Sequence, residues 1–302
     1  MVADSEHFIL VYDIGGSHVS SALCATGSFQ LGRVVEAPHQ PDMSSAAFLD
    51  QIEQLGKDAA NGMAHPEGAS LAFPGPFDYA TGVSLMRHKL PCLYGVDLRK
   101  ALAARYGWDP AKVTFINDAS AFLLGEISAG AAKGFNRAVG LTLGTGVGSA
   151  FAVNGRLVNG GEGVPSGGEI WNLPFDGATI EDAVSARAIR CVYRRRTGRE
   201  QEVVLLACRA AEDPDARIAF EEFGRNLGLA MRATLADFGP QVVVLGGAIC
   251  RSAELFLPSA RQAVEDLHLH IRISELFERA ALVGAAAAWF NSSHGANGKV
   301  QR

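Results

Sequence analysis

A strand, a glycine turn and a second strand occur in close succession twice, and this limits the fold of the chain more than any other feature. Residues 11–20 read VYDIGGSHVS and residues 140–151 read GLTLGTGVGSAF. In each, an apolar run breaks into glycines beside a small hydroxylated residue and then resumes, the pattern of a buried strand, a tight turn and a return strand. A third apolar run, PQVVVLGGAI, ends in Gly246-Gly247. Helical spacing follows each hairpin. In the first half it appears in SSAAFLDQIEQLGKDAANGM, DLRKALAARYG and ASAFLLGEISAGAAKG; in the second it appears in ATIEDAVSARAIRCVYRRRTG and ARIAFEEFGRNLGLAMRATLADFG. The architecture repeats without sequence identity between the copies. It predicts an α/β chain of two lobes with a cleft between them, the usual place for a small ligand.

Further strands are expected at LGRVVEA, at GASLAF before the Pro74-Gly75-Pro76 break, and at KVTFIND, with Asn154-Gly155 closing another hairpin. The expected divisions are a first lobe over 1–118 and a larger second lobe over 119–280. A helix at about 281–290 should pack back on the first lobe, and 291–302 should be a polar tail.

The chain has 302 residues, 48% of them hydrophobic, enough for two cores. A net charge of −5 gives no global attraction to nucleic acid or anionic membrane. Cys24, Cys92, Cys191, Cys208 and Cys250 are scattered and odd in number, which argues against a disulfide framework or a cysteine zinc site. The N-terminal segment has neither leader nor membrane-span character, so the expected place is the reducing cytoplasm.

Glycine turns let backbone N–H groups converge on an anion, and Ser17 and Thr145 add hydroxyl donors. Asp13, at a strand end, would repel phosphate unless a cation such as Mg²⁺ mediates through water. The alternative is that these are only tight hairpin turns. GTGVGS has Ser149 where a dinucleotide fingerprint needs glycine, and it opens a strand, so a Rossmann site is not expected. No P-loop, G-x-S-x-G or H-E-x-x-H occurs.

DIGGS, PGPFD, INDASAFLLGE, LTLGTGVGSAF, GGEIWN with IEDAVSARAI, and VVVLGGAI stand in the order found in ROK-family sugar kinases, and the resemblance spans Ile9 to Phe290. It implies a two-lobe actin-like ATPase (ribonuclease H-like) fold and transfer of the γ-phosphoryl of Mg-ATP to a hexose or hexose-derivative hydroxyl, glucokinase-like and at O6. Asp13, Gly15, Gly16 and Ser17 match the family's first phosphate motif, with Asp13 holding Mg²⁺ through water. Gly144, Thr145, Gly146 and Gly148 match the second, and Gly246 and Gly247 the segment beside adenosine. Asp118 matches the catalytic aspartate. Asn117, Gly75, Glu169 and Glu181 fall among the positions that meet the sugar. A carboxylate such as Asp118 can orient a hydroxyl and accept its proton, and it can also cap the helix that follows. The alternative for Glu169 and Glu181 is a merely solvated carboxylate, and Glu181, near a helix start, could instead compensate the helix dipole.

Two stretches depart from the family pattern. Where relatives carry E-x-G-H and a zinc-holding cysteine loop, this chain reads GGEIWNLPFDGATIEDAV, so no structural zinc is expected. Trp171, Leu173, Pro174 and Phe175 are expected to shape that loop by packing, and Asn172 keeps hydrogen-bonding capacity towards the sugar. In SLMRHKLPCLYGVDL, His88 and Lys89 stand where relatives carry Asn-Leu; Lys89 at the pocket would favour an acidic or otherwise modified sugar, and the alternatives are a Lys89 that points to solvent and a His88 that is a surface or capping residue. Arg190, Arg194, Arg195, Arg196 and Arg199 make either a solvated helix end or a polyphosphate track. ROK repressors carry a DNA-binding module before the kinase-like part. DIGG starts at Asp13, so no nucleic-acid partner is expected; the resemblance allows a homodimer. The alternative to a kinase is a non-catalytic sugar- or nucleotide-binding protein of the same fold.

Overall fold

The computed structural model describes residues 7–25, 27–40, 42–62 and 65–295, with side chains described to residue 292. The chain forms two compact units, one running to Ala129 and resuming at Glu278, the other covering Gly130–Phe277.

The first unit is built on β1 (Phe8–Ile14), β2 (His18–Ala25), β3 (Val35–Pro38) and β4 (Ala69–Phe73). A small hairpin, β5 (Phe77–Asp78) with β6 (Val83–Ser84), precedes β7 (Val113–Asn117). The sheet order is β3-β2-β1-β4-β7; β1, β4 and β7 are parallel, and β2 and β3 antiparallel. Parallel strands need crossover helices, and the sequence supplies them with stop and start signals. Helix α1 (Ser45–Ala60) is capped by the Ser44 hydroxyl and ends at left-handed Asn61. Helix α2 (Leu98–Tyr106) starts at Asp97, which accepts the Lys100 N–H, and stops at left-handed Gly107. Helix α3 (Asp118–Ala129) follows β7 directly.

The second unit repeats the plan with β8 (Arg137–Leu143), β9 (Val147–Val153) and β10 (Arg156–Val158), the last pair closed by Asn154-Gly155 with both residues at positive φ. Next come a short hairpin, β11 (Pro174–Phe175) and β12 (Ala178–Thr179), and helices α4 (Ile180–Ala183), α5 (Ala186–Thr197), α6 (Val203–Arg209) and α7 (Pro214–Leu235). Strand β13 (Val242–Gly246), helix α8 (Ala253–Ala263) and β14 (His270–Ile273) complete it. The sheet order β10-β9-β8-β13-β14 places parallel β13 beside β8. Helix α9 (Ala280–Gly295) returns the chain to the first unit.

The units do not divide at the expected edge after Asp118. Helix α3 belongs with the first unit because it crosses α9 almost backbone to backbone. A Cβ on Gly284 would stand 1.7 Å from the Ala121 carbonyl oxygen, and one on Gly125 would stand 2.0 Å from that of Ala280. Helix α9 also runs past the expected 281–290 into the first residues of the supposed tail; the rest of that tail lies outside the described residues. Among the described residues, no helix is long and apolar enough to cross a membrane.

Candidate active site

In the first unit, three parallel strands bring the sequence-predicted site residues to their C-terminal ends, where open α/β sheets place ligands. Strand β1 ends with Asp13 and the Gly15-Gly16-Ser17 turn, β4 runs into Pro74-Gly75-Pro76, and β7 ends at Asn117, next to Asp118. The two aspartates share one electrostatic environment. Burial, followed by repulsion from Asp118 and Glu36, pushes the Asp13 carboxyl up to about 7. Burial also raises the Asp118 carboxyl, opposed by the Ala119 N–H, the Lys89 charge and the Asn117 amide.

Asn117 and Asp118 both accept N–H groups from the first turn of α3. Asn117 caps α3, its Oδ1 accepting the Ser120 N–H at 3.1 Å. The Asp118 Oδ1 accepts the Ala119 N–H at 2.9 Å and the Asn117 Nδ2–H at 3.0 Å. Asn117 Nδ2 also lies 3.3 Å from the Tyr79 hydroxyl, which donates to the Phe73 carbonyl at 2.9 Å. Tyr79 thus joins the β4 and β7 ends, a role not visible in PGPFDY. The Leu85 N–H donates to the Pro76 carbonyl at 3.2 Å, which sets the exposed Arg87-His88-Lys89 segment beside the Gly75 turn.

The first glycine turn is supplied with free donors. Gly15 N–H is engaged by the His18 carbonyl at 2.9 Å, while the Gly16 and Ser17 N–H groups have no protein partner among the described residues. Where a Cβ on Gly16 would stand there is open space. The second turn, in the second unit, has the same economy. Gly144 N–H donates to Gly146 O at 3.0 Å, and Val147 N–H donates to Glu181 Oε2 at 3.0 Å. The Thr145 and Gly146 N–H groups are left without a protein partner among the described residues. Gly148 sits in β9 opposite Thr142. Gly246 pairs with the same Thr142, and Gly247, at φ 87°, packs on Leu143 so closely that a Cβ would stand 2.4 Å from its carbonyl oxygen. Both turns therefore present spare backbone donors at strand ends, which is what an anion requires.

Glu181 and Glu169 are held differently. Glu181 braces the second turn through Val147, a contact that sequence reading did not anticipate. Exposed Glu169 receives the Trp171 indole N–H at 3.0 Å. The loop that replaces the cysteine motif is shaped only in part as expected. Leu173 and Phe175 pack on the core, while Trp171 is 41% exposed and Pro174 is exposed. Asn172 is exposed nearby. Among the described residues, no group of three or more His, Cys, Asp or Glu side chains could hold a metal ion. A water-bound Mg²⁺ needs only one or two carboxylates. Asp13 fits that demand, because a dication there would relieve the repulsion that raises its carboxyl. Arg190, Arg194, Arg195 and Arg196 each face a carboxylate (Glu202, Glu200, Glu222 and Asp215), so their charge is compensated within the unit.

Two α/β units of this plan, each with a glycine turn between its first two strands, make up the actin-like ATPase fold. The ROK family model matches residues 10–292, and the chain belongs to the ROK family. It is 27% identical to the glucokinase of Thermotoga maritima over 309 residues, covering 91% of this chain and 95% of that protein. It is 26% identical to the N-acetyl-D-glucosamine kinase of Salmonella paratyphi C over 280 residues, covering 86% of this chain and 89% of the other. A ROK-family glucokinase from Streptomyces griseus, solved with glucose and AMPPNP, superposes with a TM-score of 0.77 at 21% identity, over 93% of this chain and 98% of that one.

Proposed function

We propose that this ROK-family carbohydrate kinase transfers the γ-phosphoryl group of ATP to a hydroxyl of a hexose or hexose derivative, O6 in a glucokinase-like reaction. The observation that carries the reading is Asp118: a partly buried carboxylate at a parallel-strand end, oriented by two donors and set beside a second acidic group. Asp118 accepts the hydroxyl proton as the sugar oxygen bonds to the γ-phosphorus. The bond from phosphorus to the bridging oxygen breaks, and its electron pair leaves with ADP. The free amides of Gly16, Ser17, Thr145 and Gly146 bind phosphate oxygens, and Gly246 and Gly247 lie beside adenosine. Asp13 would hold Mg²⁺ through water, and the ion would neutralise charge on the phosphates. Asn117, Gly75, Glu169, Asn172 and Glu181 contact sugar hydroxyls. Lys89, whose charge acts on Asp118, favours an acidic or otherwise modified sugar.

The named activities of the relatives, glucokinase and N-acetyl-D-glucosamine kinase, support the substrate class and differ in the sugar. The test is ADP release with Mg-ATP over hexoses, amino sugars, N-acetylated sugars and sugar acids, with phosphorus NMR locating the new ester. Turnover on one sugar with a 6-phosphate product is expected. Binding of nucleotide and sugar without turnover on any of them would assign a non-catalytic role.

A further inference from the structure

His39 follows β3 and is only 7% exposed, among the few polar residues taken into the interior of the first unit. It grips the first glycine turn twice. Its backbone N–H donates to the Ser17 carbonyl at 3.1 Å, and its Nε2 lies 3.0 Å from the Gly15 carbonyl oxygen. A carbonyl only accepts, so Nε2 carries the proton. The other ring nitrogen, Nδ1, is buried without a hydrogen-bond partner among the described residues. The ring meets Phe48 edge to face, with centroids 6.2 Å apart.

A buried nitrogen with no partner is unfavourable, and such an exception in a folded protein calls for a reason. A leucine would fill the space against Phe48 without that cost. It could not hold the Gly15 carbonyl. What the histidine adds is therefore its Nε2–H, and that donor points at the turn. His39 holds the Gly15 and Ser17 carbonyls, the His18 carbonyl holds the Gly15 N–H, and the Ser17 hydroxyl lies 3.4 Å from His18 Nδ1. The Gly16 and Ser17 N–H groups remain as the donors for an outside anion.

We infer that His39 is a positioning residue for the nucleotide: it clamps the Gly15–Ser17 turn so that the Gly16 and Ser17 amides stay set for phosphate oxygens. This rests on the kinase reading above. His39 touches no substrate and acts only through the turn, so its removal weakens nucleotide binding without a matching loss of fold stability.

The test uses the full chain with three substitutions, titrating Mg-AMPPNP by calorimetry and following thermal unfolding. His39→Leu keeps the apolar contact and removes the donor. His39→Gln places an amide nitrogen the same number of bonds from Cα as Nε2 and restores the donor. His39→Asn carries an amide one bond too short to reach Gly15. His39→Leu and His39→Asn should weaken Mg-AMPPNP about tenfold, one hydrogen bond's worth, while His39→Gln stays within about threefold of the parent. The melting temperature of His39→Leu should match or exceed that of the parent. Parent-like Mg-AMPPNP affinity in His39→Leu or His39→Asn overturns the inference and leaves the kinase reading intact. Affinity lost equally in all three variants, in step with melting temperature, also overturns it. Failure of the parent itself to bind Mg-AMPPNP strikes the kinase reading and the inference together.

Discussion

Replacing Gly146 with alanine puts a methyl group where Glu181 Oε2 now lies, 2.4 Å from the new Cβ. The carboxylate is the far end of a flexible side chain, so it can swing aside with little strain. Doing so breaks its 3.0 Å bond to the Val147 N–H, the brace of the second glycine turn. A hydrogen bond to a carboxylate contributes about 1.5–3 kcal/mol, or roughly 10- to 150-fold in an equilibrium constant. Part of that returns when water solvates the freed N–H, which sets the expectation at the lower end. Gly146→Ala should therefore raise the KM for Mg-ATP about tenfold, with unfolding temperature lowered by only a few degrees. The assay is ADP release with Mg-ATP varied at saturating sugar, then sugar varied at saturating Mg-ATP. Glu181→Gln separates the brace from the proposed sugar contact, because its amide oxygen can still accept from Val147. It should keep the parent KM for Mg-ATP and raise that for the sugar. An unchanged KM for Mg-ATP in Gly146→Ala would refute the brace.

Lys89→Met removes a charge that favours ionised Asp118, so the carboxyl should rise further above its ordinary range. The base works deprotonated, so the acid limb of the kcat–pH profile should move to higher pH while the plateau above it is retained; an unshifted limb contradicts this. Asp13, raised to about 7 in the folded protein, is more acidic when unfolded, near 3.9. Stability held by its protonated form is fully present below about pH 4 and is lost as pH rises through about 7. Without nucleotide or Mg²⁺, the melting advantage of Asp13→Asn over the parent should therefore grow from acid to neutral pH; a constant difference would show that Asp13 is not strained. Gly284→Ala drives a methyl into the Ala121 carbonyl at 1.7 Å, against backbone that cannot swing away. Overpacking of this kind costs about 1–3 kcal/mol or more, so a clear fall in melting temperature is expected, and a parent-like melt would mean the α3–α9 crossing relaxes.

Much of this was legible because the signals are local. Strands β1, β4, β7, β8 and β13 are short apolar runs that end in glycine, proline or Asn-Asp, and their ends carry the expected site residues. Ser44, Asp97, Asn61 and Gly107 mark helix ends by chemistry that can be read from one residue. The misses are non-local. Helix α3 is apolar on nearly every side, so its sequence does not say which unit it joins; Gly125 and Gly284, far apart in sequence, decide that. Helix α8 is disguised by Pro258 within it, and β14 has only four residues. His39 sits in APHQPD, which reads as an ordinary turn, and the Glu181–Val147 bond spans 34 residues. Neither leaves a periodic trace.

The central claim is that Asp118 takes the proton of the sugar hydroxyl. Its most direct test is the kcat of Asp118→Asn on the sugar that the parent phosphorylates, measured beside Mg-AMPPNP and sugar affinity. Asparagine keeps the size of the side chain and an oxygen for the Ala119 N–H, and cannot act as the base. A fall in kcat of about 10²- to 10⁴-fold, with both affinities within about threefold of the parent, is the predicted result. Turnover at the parent rate in Asp118→Asn would contradict the account.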